Sequence, residues 1–166
     1  GHRVTALVGH SRGRLDPLLD GNTALTVTGC DLAEPRHLPS RVDAIVHAAA
    51  RSPAASVTTA DMVRDNANAT AKLVAYAATA GVKTFVYLSS LSIYGTIAGP
   101  KVDETTPIIN PDAYGMTKFL GELMLRETST LRSLSIRLPG ILGPNPVRNW
   151  LSGVIERGRA EREISI

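Results

Sequence analysis

A single cysteine, Cys30, excludes both an internal disulfide and any cluster of thiolate metal ligands in this chain of 166 residues. Aromatic residues are scarce at 4% of the sequence, which leaves few stacking platforms for nucleic acid. A large excess of one charge sign is absent too. The 18 Lys and Arg against 15 Asp and Glu leave +3, and the basic residues are scattered rather than gathered into the stripe a nucleic-acid binder needs. No apolar run reaches the roughly 18 residues of a membrane-spanning helix, so no membrane partner is expected. The N-terminus opens on a strand-like run rather than a signal peptide. The four histidines, His2, His10, His37 and His47, show no metal-ligand spacing. What remains is an ordinary composition, 43% hydrophobic and 20% charged, with length for one core and a reducing cytoplasm as the expected location.

What is present is a regular alternation. Short β-branched or apolar runs at Arg3–Val8, Leu25–Thr28, Ala44–Val46, Thr84–Leu88 and Leu134–Leu138 read as strands. Between them, residues 58–80 carry helical spacing and stop at Gly81, a natural cap. Asp112 is placed to cap a second helix running to about residue 130, and residues 149–159 read as a third. Residues 95–110, rich in Gly, Pro and Thr, read as a surface loop. Nearly all-apolar strands alternating with helices predict an α/β fold, a Rossmann-like doubly wound parallel sheet with helices on both faces. In such sheets ligands bind beyond the carboxyl ends of the strands. Small or polar residues cluster at those ends: Gly9–Arg12, Asp31, His47–Arg51, Ser89–Ser92 and Pro139–Gly140.

The most chemical stretch is Tyr114-Gly-Met-Thr-Lys118. On a helix, Tyr114 and Lys118 stand at i and i+4 on one face, where the ammonium favours phenolate and lowers the phenol pKa. A serine hydroxyl from the Ser89-Ser90 strand end is placed to hydrogen-bond the oxygen of a substrate carbon that gains or loses hydride. Together they form an acid–base device for alcohol and carbonyl chemistry.

Several longer stretches then stand in order: Gly29-Cys-Asp31-Leu32, Val42-Asp-Ala-Ile-Val-His47-Ala-Ala, Asn66-Ala-Asn-Ala-Thr70, the run from Gly81 to Gly95 through Ser90 and Tyr94, Tyr114 to Lys118, and Arg137-Leu-Pro-Gly140-Ile-Leu-Gly-Pro144. In these the chain resembles the extended short-chain dehydrogenase/reductase family, the NAD(P)-dependent epimerase/dehydratase group, over essentially its whole length. The resemblance implies hydride transfer with Tyr114 as acid/base, Lys118 lowering its pKa and bonding the nicotinamide ribose, and Ser90 polarising the substrate oxygen. It also implies a coenzyme laid against Asp31 and Leu32 (adenine), Ala48 and Ala49 (backbone passage), Asn66 beside its strand, and Pro139-Gly140 at the nicotinamide amide. Alanine and glycine suit such close approach. It further implies a homodimer built on helices 58–80 and 112–130. A non-catalytic dinucleotide sensor or scaffold on the same fold is the rival, disfavoured because Tyr114 and Lys118 are both kept.

Departures from the family pattern qualify this. Its first strand and G-x-x-G-x-x-G phosphate turn are not found, so the sheet is expected to miss its central strand. The expectation is therefore a partial dinucleotide domain at 1–146, followed at 147–166 by the start of a substrate-binding region. After the first strand stands Gly9-His10-Ser11-Arg12, with no acid to bind a ribose 2′-hydroxyl. His10, Ser11, Arg12 and Arg14 suit a 2′-phosphate instead, so NADP is favoured over NAD. Gly140 stands where members acting on nucleotide-linked sugars commonly have Asn, which leaves the substrate a sugar-like or other carbonyl or alcohol.

Plainer readings compete at several positions. Asp31 suits a turn cap, His47 reads better as a buried, satisfied histidine than a catalytic one, and a helix-surface amide is the plainer alternative to cofactor-side placement of Asn66. Ser92 and Tyr94 are expected near the substrate, with packing almost as good an explanation; Glu104 and the 95–110 loop read as solvated rather than as substrate contacts, and Cys30 as a small hydrophobe.

Overall fold

A computed structural model of the chain describes residues 1–9 and 15–141. Five strands form where the apolar runs stand: β1 (Val4–Val8), β2 (Leu25–Gly29), β3 (Ala44–His47), β4 (Thr84–Ser90) and β5 (Arg132–Leu138). All pairing is parallel, yet the strands fall into two sheets, β1–β2 and β3–β4–β5. The break lies where the doubly wound order would set a central strand, as the sequence leads one to expect.

The helices are α1 (Asp16–Leu19), α2 (Thr59–Met62), α3 (Ala69–Thr79) and α4 (Ala113–Glu127). A capping box opens α2: Asp61 N–H donates to Thr58 Oγ1 at 3.1 Å, and Thr58 N–H donates to the Asp61 carboxylate at 2.9 Å. Between α2 and α3 the helix widens to a π-helical stretch, Val63–Asn68, which the residue pattern does not announce. Gly81, at φ +70°, ends the run as expected. At α4, Asp112 accepts the Gly115 N–H at 2.6 Å. The helix expected at 149–159 and the domain boundary at 146 lie outside the described residues.

Strand β4 alternates strictly. Phe85, Tyr87 and Ser89 are buried beneath the helices, in register with Ile45 and His47 of β3. Leu73, Val74 and Ala77 of α3 and Leu125 of α4 close this core, with Val82 and Leu131, while Leu32, Leu38 and Val42 pack on from the β2–β3 connection. The other face differs from the expected double cover. Val46 is 66% exposed and Leu134 56%, and no described helix lies on them. The only described helix between β1 and β2 is the four-residue α1, too short to cover a sheet face.

Candidate active site

The carboxyl ends of β3, β4 and β5 and the start of α4 converge on one edge. Ser90 is the last residue of β4 and caps the 3₁₀ turn Leu91–Tyr94; its hydroxyl donates to Ser92 Oγ and its Oγ accepts the Ser92 N–H, both at 3.1 Å. Helix α4 is seated on this turn through Gly115, where a Cβ would stand 2.2 Å from the Ser92 carbonyl oxygen. Only glycine permits that approach, and through it half-buried Tyr114 comes down beside the Ser90 turn. Ser90, Tyr114 and Lys118 thus belong to one packed unit.

Lys118 departs from expectation in its electrostatics. It is 2% exposed, and its Nζ lies 4.2 Å above the centre of the Tyr87 ring. Burial pulls the ammonium down to about 8, with Glu122 acting in the opposite direction. The Tyr114 phenol is pushed up, by burial first and by the Asp112 carboxylate second. The lowering of Tyr114 expected from Lys118 is therefore not seen: desolvation of the phenol outweighs an ammonium drawn onto another ring.

A buried polar chain ties α4 to the β3–α2 loop. Thr117 Oγ1 donates to the Tyr114 carbonyl at 2.8 Å and accepts from Asn66 Nδ2 at 3.0 Å. The same Asn66 amide accepts the Arg51 N–H at 2.6 Å and donates to the Arg51 carbonyl at 3.1 Å. Asn66, in the π-helical stretch and 1% exposed, thus has its amide engaged by protein groups. It fixes the main chain that follows Ala48–Ala50 rather than presenting itself at the surface. His47 is buried and satisfied, as read. Its Nε2 lies 3.0 Å from Thr70 Oγ1, whose own hydrogen goes to the Asn66 carbonyl, so Nε2 carries the proton. Burial, then Lys118, lowers its pKa to about 4.

Most of the residues expected to line a coenzyme are described, and several of them stand at the strand ends. Ala48, Ala49 and Ala50 are exposed beyond β3, and Pro139 and Gly140 are exposed beyond β5. Small side chains on a main chain held by Asn66 fit the close passage of an extended dinucleotide. Exposed Asp31 and half-buried Leu32 follow β2. Asp31 accepts the Ala33 N–H at 2.9 Å, so the turn-cap reading holds, and it is also paired with Arg64. Arg64 binds Asp65 in turn, and Asp65 binds Arg51 at 2.6 Å. His10, Ser11, Arg12 and Arg14 lie outside the described residues. Among those described, no group of His, Cys, Asp or Glu is arranged for a metal, and no helix is long and apolar enough to cross a membrane.

Sequence reasoning passed over one strong feature. Arg137 of β5 grips buried Glu122 of α4 by three donations of 2.7–3.2 Å, and its Nη1 donates to Tyr94 Oη at 2.6 Å. Tyr94 passes its own hydrogen to the Asp103 carbonyl at 2.7 Å. The signal was available, since Glu122 stands at i+4 from Lys118 on the same helix face.

With this geometry in place, likeness to known proteins becomes decisive. The sequence model of the NAD dependent epimerase/dehydratase family matches residues 1–166. The chain belongs to that family. Among curated members it is 27% identical over 135 residues to UDP-glucose 4-epimerase of Azospirillum brasilense, spanning 78% of this chain and 38% of that protein. Its fold is that of UDP-glucuronic acid 4-epimerase from Bacillus cereus, solved in complex with NAD, with a TM-score of 0.81, 19% identity and coverage of 99% of this chain and 57% of the other. dTDP-glucose 4,6-dehydratase from Streptomyces venezuelae is 26% identical with a TM-score of 0.75, over 86% of this chain and 48% of its own; NAD and TYD are bound there. The chain therefore spans 38% of the curated relative and 57% and 48% of the two solved structures.

Proposed function

We propose that the chain carries the dinucleotide side of an NAD(P)-dependent epimerase, dehydratase or reductase acting at a carbinol or carbonyl carbon. One observation carries the reading: the Gly115–Ser92 contact sets the Tyr114 helix on the Ser90 turn at the ligand-binding edge of a parallel sheet. A bound nicotinamide coenzyme supplies the hydride exchange. Tyr114 Oη moves the proton on the substrate oxygen, and Ser90 Oγ, turning from Ser92, donates to that oxygen. Lys118 brings positive charge to the ribose side of the site, while the Tyr114 phenol stays protonated until it transfers its proton.

The coenzyme assignment favours NADP, because β1 is followed by Gly9-His10-Ser11-Arg12, where no acid stands and Arg12 suits a 2′-phosphate. The two solved relatives described above hold NAD. The substrate class is a sugar-like carbonyl or alcohol. The named relatives work on nucleotide-linked sugars, and Gly140 is the departure from that pattern. Exposed Met116 and Leu120, at i and i+4 on α4, support a homodimer through this helix. Cys30, the lone thiol, supports a cytoplasmic setting.

Titration of the chain with NADPH and with NADH, followed by nicotinamide fluorescence, tests the assignment. Tighter NADPH binding is expected. Preference for NADH overturns the NADP assignment alone, and binding of neither favours the scaffold rival. Tyr114→Phe is expected to keep coenzyme affinity while slowing turnover of a UDP-hexose or small-ketone probe about 100-fold or more. Undiminished turnover would remove Tyr114 from the acid–base role.

A further inference from the structure

Tyr87 is a buried tyrosine that the reaction does not obviously need. It is 0% exposed, under α4, and its hydroxyl makes no hydrogen bond of regular geometry, with the Thr70 side chain, already donating to the Asn66 carbonyl, as a poorly placed polar neighbour. A poorly matched buried hydroxyl normally costs stability, and phenylalanine would avoid that cost. Burial pushes this phenol up to about 12, so the ring stays neutral. Its place is enforced from the helix side, because a Cβ on Gly121 would stand 2.5 Å from the Tyr87 oxygen and 2.7 Å from Cζ. The helix thus gives up a side chain, one turn after Lys118, to let this ring pass beneath it.

The ring carries the Lys118 ammonium 4.2 Å above its centre. A cation over an aromatic face is attracted by the ring quadrupole, and more strongly when both are withdrawn from water. No carboxylate among the described residues is within ion-pair distance of Lys118. Glu122, the acid on the same helix face, has both oxygens engaged by Arg137. The remaining charged or titratable groups nearby are His47 on β3, neutral and 5.4 Å from Tyr87 ring to ring, and Tyr114, itself neutral.

We infer that Tyr87 is a positioning residue for Lys118: its ring face seats the ammonium at the sheet edge, doing electrostatically what a carboxylate would do without occupying the ammonium hydrogens. This rests on the catalytic reading of Lys118 and deepens it. A carboxylate seat would take up those donors and neutralise the charge. A π face holds the nitrogen in place and leaves its N–H groups for a ribose or phenol oxygen. Gly121 is the second half of the device, since any side chain there displaces the ring.

The test is a fluorination series at position 87 in the full chain. Tyr87→Phe is the parent, with fluorinated phenylalanines of increasing substitution introduced at the same site. Volume changes little along the series while the quadrupole weakens. The readout is the titration of the Lys118 ammonium by NMR of ¹³Cε-labelled lysine, which needs neither substrate nor coenzyme. Each fluorine is expected to lower the lysine midpoint further, to about one unit in total, the size of a desolvated cation–π contact. A packing role alone would leave the midpoint in place, and a midpoint constant across folded members of the series overturns the inference. Gly121→Ala is the second arm; where it folds, it is expected to lower the same midpoint, and a folded variant with an unmoved midpoint counts against the seat. If the midpoint falls along the series while turnover at neutral pH stays constant, Tyr87 still seats the ammonium and the catalytic reading of Lys118 is what fails.

Discussion

Arg137 and Glu122 join β5 to α4 through three hydrogen bonds of 2.7–3.2 Å, with the Glu122 side chain 4% and the Arg137 side chain 18% exposed. The pair fixes the helix that carries Tyr114 and Lys118 against the strand that leads to Pro139-Gly140. Removing one partner of a buried pair is costly because the other charge is left unmatched. Glu122→Ala is expected to lose about 3 kcal/mol, the lower end of the usual range because Arg137 keeps Tyr94 and some water. Denaturant unfolding measures it. A loss below about 1 kcal/mol would place the pair with exposed salt bridges instead.

Gly115 offers a sharper separation of stability from activity. A methyl group there would meet the Ser92 carbonyl oxygen at 2.2 Å and its carbon at 2.8 Å, both main-chain atoms with little room to yield. The start of α4 must lift, carrying Tyr114 away from the Ser90 turn. Gly115→Ala is therefore expected to cost roughly 1–3 kcal/mol as overpacking. Turnover should fall about 100-fold, since a displacement near 1 Å is enough for that. Gly99→Ala, whose Cβ would come no nearer than 3.9 Å to the Lys101 carbonyl oxygen, is the matched control. Equal turnover in the two variants would mean that Tyr114 does not work against the Ser90 turn.

The five strands and the capped helix at Asp112 were legible because each rests on local signals: apolar runs, Gly81 and an N-cap. The gap between the two sheets was legible as well, from the order of the motifs. The π-helical stretch was not. It carries Asn66, whose amide bonds Arg51 and Thr117, and those contacts are distant in sequence. The same holds for the Tyr114 phenol. The i,i+4 spacing places Lys118 on the right face, but its ammonium rests over Tyr87, which comes from β4. Local pattern locates the residues, and long-range packing sets their electrostatics.

His47 provides a pH dependence whose sign follows from its burial. Its imidazole is neutral in the fold, with Nε2–H donated to Thr70, and its pKa is lowered from 6.5 to about 4. Below 6.5 the unfolded chain takes up a proton that the folded chain refuses until about pH 4. The unfolded state therefore binds more protons throughout that window, and stability falls as pH falls through it. The full difference approaches about 3 kcal/mol near pH 4. His47→Gln keeps an N–H donor for Thr70 but has no proton to gain. Urea unfolding at pH 7 and pH 4.5 should show a clearly steeper acid loss for the parent than for the variant, with carboxylates contributing equally to both. Parallel acid losses would mean that the His47 site opens to water before the fold does.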